Sequence, residues 1–212
     1  MAHAPFTRKM VNNHNTNNMN YEALYSLSKE RHSCRDFEPT PLTEEQIRQL
    51  LQLARTAPFA SGRKNWDIHV VTDRGIIDRM AAAVDQESDV LREKVAPEYA
   101  GMFGGYARYF SLFKKAPALF IPVFRVSPTL KILLGDHCTP EITTMERDNM
   151  VKSISCVAML ILLGAQSLGL GACYMTGGLV AEKKLKEILQ MPSGQEIGAI
   201  IPVGNPAKKC ST

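Results

Sequence analysis

The residues best suited to chemistry in this sequence form a basic loop, Arg-His-Ser-Cys-Arg, at residues 31–35. Two guanidinium groups, one imidazole and one hydroxyl fall within five positions. Arginine presents a planar fork of donors that fits phosphate oxygens, and a serine hydroxyl adds a further donor. The pattern indicates a site for a phosphate or another small anion. It is also typical of a solvated loop, so both interpretations stay open on these residues alone.

A second candidate is the glycine-rich segment GLGACYMTGG at residues 169–178. Glycines on both sides of a short predicted strand allow the backbone to approach a flat ligand closely. A helix C-cap followed by a β-turn explains the same glycines without a ligand. The sequence contains neither GxGxxG after a strand nor the phosphate-binding motif GxxxxGK followed by Ser or Thr, so it does not predict those nucleotide folds.

Composition limits the class of protein. Lys and Arg total 25 against 21 Asp and Glu, a net charge of +4, which is too small to indicate nucleic-acid binding. The five cysteines form no CxxC pair, which predicts no metal site and a reduced, cytoplasmic setting. Residues 1–20 lack the apolar core of a secretory signal, and the most apolar run, residues 156–163, is far shorter than the ~20 residues of a membrane span. We therefore expect no nucleic-acid partner and no membrane.

Periodicity places these candidates in one α+β domain at residues 21–212, after a mobile tail at residues 1–20. Apolar spacing predicts helices around residues 21–27 and 76–84 and near residues 185–189. A capping box at Thr43 and Gln46 starts another helix, which Pro58 is expected to end. Predicted strands cover residues 68–72, 118–124, 172–176 and 197–203.

Three features of this pattern bear on the assembly of the domain. Pro122 indicates that the second strand is an edge strand or contains a bulge. Residues 126–147 read as a long mixed connection of the kind that forms lids or binding loops, or is disordered. The helix predicted at residues 150–168 is apolar on nearly every side, so it must be covered on nearly every side. A subunit interface would cover it most easily.

Four segments follow one another in a recognisable order. They are Arg31, Ser33, Arg35 and Phe37; the loop TAPFASG at residues 56–62 running into Trp66; LGLG at residues 168–171 followed by CYMTGG; and VGNP at residues 203–206. In this order they resemble the nitroreductase family of FMN-dependent oxidoreductases, and the resemblance covers residues 21–209. It implies a central mixed or antiparallel sheet flanked by helices, in an obligate homodimer with a long apolar central helix.

The resemblance also assigns FMN-binding roles to the basic loop and to three other segments of the chain. Arg31 and Ser33 would meet the phosphate and ribityl end of FMN, with His32 beside them, and Arg35 would face the pyrimidine edge of the flavin. The other implied FMN-binding residues are the backbone N–H groups of Thr176, Gly177 and Gly178; Pro58, Phe59, Ala60 and Gly62 from the second subunit; and Lys208 and Lys209, which would take the part of a basic residue that most members carry further past the last strand.

The implied reaction is ping-pong. NADH or NADPH would deliver hydride to flavin N5, and a small aromatic or quinone-like acceptor would then be reduced in the same place. The flavin N5 carries the chemistry, so no catalytic side chain is expected. Phe103 and Tyr106 lie in an aromatic stretch that would cover the acceptor, and a core role explains them equally well.

Two alternatives remain on the sequence alone. Relatives with the same fold use flavin for dehalogenation, for oxidation of peptide heterocycles or for cleavage of flavin itself. A non-catalytic dimer that binds a ligand would also fit an apolar helix and a basic loop.

Overall fold

A computed structural model describes residues 16–60 and 65–207. Within these ranges the chain forms seven α-helices and five short strands, joined by single turns of 3-10 helix. In chain order they are α1 Thr16–Glu30, α2 Glu44–Ala54, β1 Trp66–Val71, α3 Arg74–Arg92, α4 Ala100–Ala107, β2 Ala118–Arg125, α5 Thr129–Leu134, α6 Pro140–Ser167, β3 Gly171–Ala172, α7 Glu182–Ile188, β4 Gln195–Ile197 and β5 Ile201–Gly204.

The strands form one antiparallel sheet, which confirms the predicted α+β class. The strand order is β1-β2-β5-β3, and β4 also pairs with β2. β2 is therefore the central strand. β1 pairs with it from Leu119 to Phe124 along one edge, while β5 and β4 share its other edge.

Pro122 lies within this central strand, so the expectation of an edge strand is wrong. The strands opposite it are interrupted. β4 pairs with residues Val123–Arg125 of β2, and β5 pairs with residues Ala118–Phe120. The Gly198 N–H donates to the Pro122 carbonyl at 2.8 Å across this interruption. A proline without an N–H donor is tolerated in the middle of the sheet because the facing strand is broken at that point.

Side chains of β2 alternate between two apolar cores, one on each face of the sheet. Phe120 and Phe124 enter the core that contains Leu50 of α2 and Ile161 of α6. On the opposite face, Leu119, Ile121 and Val123 pack with Ile77 of α3 and Leu185 of α7. The sheet is thus covered by helices on both faces, as a strand buried from Ala118 to Phe124 requires.

The predicted capping box of α2 is confirmed. The Gln46 N–H donates to Thr43 Oγ1 at 3.2 Å, and the Thr43 N–H donates to Gln46 Oε1 at 2.9 Å. α2 ends at Ala54, four positions before Pro58, so the proline does not itself end the helix.

Other boundaries differ from the predictions. Residues 126–147, predicted as a connection, contain α5 and the first turns of α6. The last predicted strand is split into β4 and β5, and the strand predicted at residues 172–176 is reduced to Gly171–Ala172. α1 begins at Thr16, inside the range predicted as a tail, while residues 1–15 lie outside the described part of the chain.

α6 is the longest helix and begins ten residues before the apolar pattern, at Pro140, with Thr139 as its N-cap. By length and composition alone it is apolar enough to cross a membrane, but half of its most apolar window is buried inside the single chain. A core helix of a soluble protein has the same properties. Met159 and Cys156 remain exposed on it, so the predicted cover by a second subunit stays a prediction.

Candidate functional site

Cys34 anchors the basic loop to the sheet. Its side chain is only 1% exposed, and its N–H donates to the Ala172 carbonyl at 2.9 Å. Ser33 forms a parallel bridge with the same residue of β3. Gly171 leaves room for Cys34, because a Cβ at Gly171 would lie 2.6 Å from its Sγ atom. The sequence therefore fixes the loop through its one buried residue, and the flanking polar residues face outward.

The loop then pairs with the segment that follows β5. The Glu38 N–H donates to the Asn205 carbonyl at 2.8 Å, and the Ala207 N–H donates to the Asp36 carbonyl at 3.1 Å. Three candidate segments of the sequence, the basic loop, the glycine-rich segment and the end of β5, therefore meet at one edge of the sheet. Lys208 and Lys209 lie outside the described residues.

The polar side chains of the loop are turned toward solvent. His32 and Ser33 are exposed and Arg31 is half-buried, while His32 Nδ1 lies 3.0 Å from the Glu30 carbonyl. Among the described residues, neither the Arg31 guanidinium nor the Ser33 hydroxyl makes a hydrogen bond or ion pair. A cation and a donor without internal partners are suited to an external anion.

Arg35 points toward a group of aromatic rings. Its Cζ atom lies 5.6 Å from the centroid of the Tyr109 ring, and its Nη1 approaches the Ser33 carbonyl at 3.5 Å. The neighbouring acid, Asp36, forms an ion pair with Lys115 at 2.8 Å. The positive charge of Arg35 is therefore not neutralised by that carboxylate.

Gly177 and Gly178 form the start of a turn of 3-10 helix, Gly177–Ala181, where a simple turn was expected. Its first internal hydrogen bond runs from the Leu179 N–H to the Thr176 carbonyl at 3.0 Å. The N–H groups of Gly177 and Gly178 thus precede the hydrogen bonds of this turn. A Cβ at Gly177 would lie 2.3 Å from the Phe110 ring, so glycine is required for this close packing.

A cleft of about 160 Å³ lies between this turn and the segment after α4. Tyr106, 63% exposed, meets the Phe110 ring edge-to-face at 4.8 Å. Phe103 is half-buried against the core on the α3 face, and it is not among the residues that line the cleft. The lining includes Arg35, Tyr106, Tyr109, Phe110, Tyr174 and Thr176.

The predicted loop at residues 58–60 lies elsewhere. The Phe59 ring stacks on Trp66 at 5.7 Å, and the Ala60 N–H donates to Ser153 Oγ on α6 at 3.0 Å. Both residues pack against the core on the α6 face, whereas Phe110 of the cleft belongs to the opposite core. In the part of the chain that the structure describes, no hydrogen bond or ring contact joins this loop to the basic loop. Gly62 falls outside that part.

The sequence profile of the nitroreductase family matches residues 28–205. The chain belongs to the nitroreductase family. Its curated relative iodotyrosine deiodinase from Danio rerio is 25% identical over an alignment of 192 residues that covers 88% of this chain. The match spans 61% of the length of that relative.

Solved structures of other flavoproteins share the fold. A BluB-like flavoprotein from Clostridium difficile 630 has a TM-score of 0.78 and 22% identity, over 89% of this chain and 92% of that chain. A nitroreductase with bound FMN from Desulfitobacterium hafniense DCB-2 has a TM-score of 0.66 and 19% identity, over 88% of this chain and 90% of that chain. At these identities the likeness concerns the fold.

Within this nitroreductase fold, sequence reasoning located the basic loop but missed part of the cleft. Tyr174 lines the cleft and belongs to the segment CYMTGG, so this motif could have indicated a residue of the cleft. Arg108 packs on Tyr109 at 4.6 Å from the ring centroid, and no local pattern distinguished it from other exposed arginines. Among the described residues, no cluster of three His, Cys, Asp or Glu could hold a metal ion.

Proposed function

We propose that this nitroreductase-family protein is an FMN-dependent NAD(P)H oxidoreductase, active in the cytoplasm on nitroaromatics, quinones or similar flat electrophiles. The proposal is carried by one observation: a basic loop, tied to β3 through Cys34, presents the Arg31 and Ser33 side chains outward, and Arg35 of the same loop lines a cleft of aromatic rings. When bound, FMN would supply hydride transfer from a reduced nicotinamide to the acceptor.

The donor set of the loop fits the phosphate of FMN. Arg31 would bind it as a charge-assisted donor and Ser33 would add a hydroxyl, with His32 next to them. The side chains of both Arg31 and Ser33 lack internal partners among the described residues, so binding a phosphate would not require breaking an existing ion pair. Lys208 and Lys209 would add positive charge to the same end.

The ring end of FMN would lie toward the cleft. Arg35 would place a positive charge at the pyrimidine edge, where it stabilises the negative charge of the reduced ring. The backbone N–H groups of Thr176, Gly177 and Gly178 would face the ring, because they precede the hydrogen bonds of their turn. Tyr106 would cover the acceptor from the side of α4.

We further propose a homodimer in which Pro58, Phe59, Ala60 and Gly62 complete the site of the partner subunit. The support is the placement of this loop on the α6 face, apart from the basic loop of its own chain. Exposed Met159 on α6 and exposed Tyr21 and Leu24 on α1 also leave apolar surface to cover.

The visible spectrum under anaerobic conditions tests the central proposal. Protein purified or reconstituted with FMN should be yellow, and NADH or NADPH should bleach it, with colour restored by a nitroaromatic or quinone. A protein that stays colourless with excess FMN would favour the non-catalytic binding function instead.

Mixing two variants that are each expected to bind FMN weakly tests the shared site. Arg31→Ala removes the phosphate contact, and Pro58→Glu places a negative charge at the exposed position in the other loop. If the two loops meet across subunits, mixed dimers contain one intact site and recover FMN binding. If both loops served the same chain, every site would carry one of the changes and no recovery would occur.

Reductive dehalogenation is a second candidate, favoured by the match to iodotyrosine deiodinase and by the three tyrosines that line the cleft. Release of iodide from 3-iodotyrosine by the reduced protein would support it. Rapid reduction of nitroaromatics without iodide release would support the first proposal.

A further inference from the structure

Arg108 is not part of the proposed FMN-binding set. It packs on Tyr109, a residue that lines the aromatic cleft, so its guanidinium lies at the rim of that cleft. We propose that Arg108 makes this cleft selective for flat acceptors that carry a negatively charged group, such as a carboxylate, next to their ring. The inference rests on the proposed oxidoreductase function and names the substrate class of the same site.

Contacts with Tyr109 hold Arg108 in place. Its Cζ atom lies 4.6 Å from the centroid of the Tyr109 ring, and its Nη2 donates to the Tyr109 hydroxyl at 2.5 Å. Tyr109 itself lines the cleft. A cation stacked on an aromatic face loses little further freedom when it binds a ligand, so the guanidinium is already positioned at the rim.

The charge at this rim is not balanced by the protein. Arg35 lies against the same Tyr109 ring at 5.6 Å, and the residues that line the cleft include no Asp or Glu. Among the described residues, Arg108 forms no ion pair. Elsewhere on the surface, Arg48, Arg74, Arg92 and Arg147 each pair with a carboxylate at 2.5–2.7 Å.

Two neighbouring cations without a carboxylate favour an anionic ligand, while the rings below them favour a flat one. An aromatic acid meets both conditions: its ring packs against Tyr106 and Phe110, and its carboxylate reaches the Arg108 guanidinium. The phosphates of a nicotinamide donor are anions too and would enter the same cleft in a ping-pong reaction. The two sources of negative charge must therefore be tested in separate half-reactions.

Two acceptors of similar shape isolate the effect of a negative charge on the acceptor. 4-Nitrobenzoate and 4-nitrobenzamide differ in charge while keeping a similar shape. Stopped-flow oxidation of the dithionite-reduced FMN holoenzyme by each acceptor measures the acceptor step without any nicotinamide. Arg108→Gln should lower kcat/KM for the benzoate by about tenfold, mainly through KM, and change the benzamide value by less than about twofold.

Three control variants separate the effect of the position of Arg108 from the effect of the protein's total charge. Arg79→Gln removes an exposed arginine on α3, away from the cleft, and should leave both acceptors unchanged. Tyr109→Phe keeps the ring but removes the hydroxyl that binds Arg108, so it should lower the benzoate value by less than Arg108→Gln does. Arg108→Lys should restore part of the loss, because it keeps the charge without the planar fork.

Three results would overturn the inference. Equal losses for both acceptors would show a structural role, and unchanged values for both would show no role. A loss confined to reduction of the flavin by NADH or NADPH would assign Arg108 to the donor. A wild-type protein that is colourless, or yellow but not bleached by NAD(P)H, would refute the proposed function itself and this inference with it.

Discussion

Replacing Gly171 by alanine should displace the basic loop from β3. A Cβ at this position would lie 2.6 Å from Cys34 Sγ and 2.7 Å from Cys34 Cβ, distances that atoms in folded proteins do not tolerate. Gly171 is not among the glycines with positive φ in the described chain, so its backbone conformation is open to alanine. The effect is therefore one of packing and not of backbone strain.

The expected loss of stability in Gly171→Ala follows from the rigidity of both Cys34 and β3. Cys34 is buried, and its backbone is hydrogen-bonded to Ala172, so the clash must be relieved by shifting the loop or the strand. Overpacking of this kind costs about 1–3 kcal/mol, and we expect about 2 kcal/mol here. Because Arg31 and Ser33 move with Cys34, FMN affinity should fall as well.

A double-mutant cycle with Cys34→Gly tests the cause. Cys34→Gly removes both clashing atoms, so Gly171→Ala should be close to neutral in that background, with a coupling energy of about 2 kcal/mol. Urea unfolding gives the stabilities, and flavin fluorescence gives FMN binding. Gly104→Ala is the matched control: a Cβ there has nothing within 4 Å, so it should stabilise α4 by about 0.5–1 kcal/mol without weakening FMN binding.

An equal cost of Gly171→Ala in both backgrounds would refute the steric argument. A lower stability with unchanged FMN affinity would refute the link between this contact and the position of the basic loop.

Three further outcomes follow from the site and the fold. Arg31→Ala should raise the Kd for FMN by at least about tenfold, since a charge-assisted contact contributes ~1.5–3 kcal/mol; full flavin occupancy after dilution would contradict this. Arg35→Ala should lower the flavin midpoint potential by removing a cation that stabilises the reduced ring, and an unchanged potential would exclude that role. Thr43→Ala should lower the free energy of unfolding by about 1 kcal/mol through loss of the α2 cap, with flavin content unaffected; a change below ~0.3 kcal/mol would show that the cap is not stabilising.

Features set by neighbouring residues were predictable from the sequence. The capping box at Thr43 and Gln46 depends on two side chains three positions apart, and it forms as predicted. The apolar run of β2 predicts a strand on its own. The basic loop and the glycine-rich segment were recognisable because their motifs occur in a fixed order along the family.

Features set by distant partners were not predictable. The central position of Pro122 depends on where β4 and β5 separate, which is decided some 75 residues away in the chain. α5 has no side-chain cap, so no local signal marks its start. Thr139 and Pro140 do form a start signal for α6. The start was nevertheless predicted at Met150, because the apolar pattern begins only there. The inward turn of Phe103 and the exposure of Tyr106 depend on how α4 packs against the α3 face.

The attachment of residues 33–38 to both β3 and residues 205–207 has a consequence for biosynthesis. The basic loop is synthesised well over a hundred residues before β3 and the segment after β5, which hold it in place. Contacts of such long sequence separation form late in folding. A nascent chain therefore cannot hold the basic loop in place until translation has passed residue 207, so a ligand that depends on this loop can be retained only after these segments of the sheet have been made.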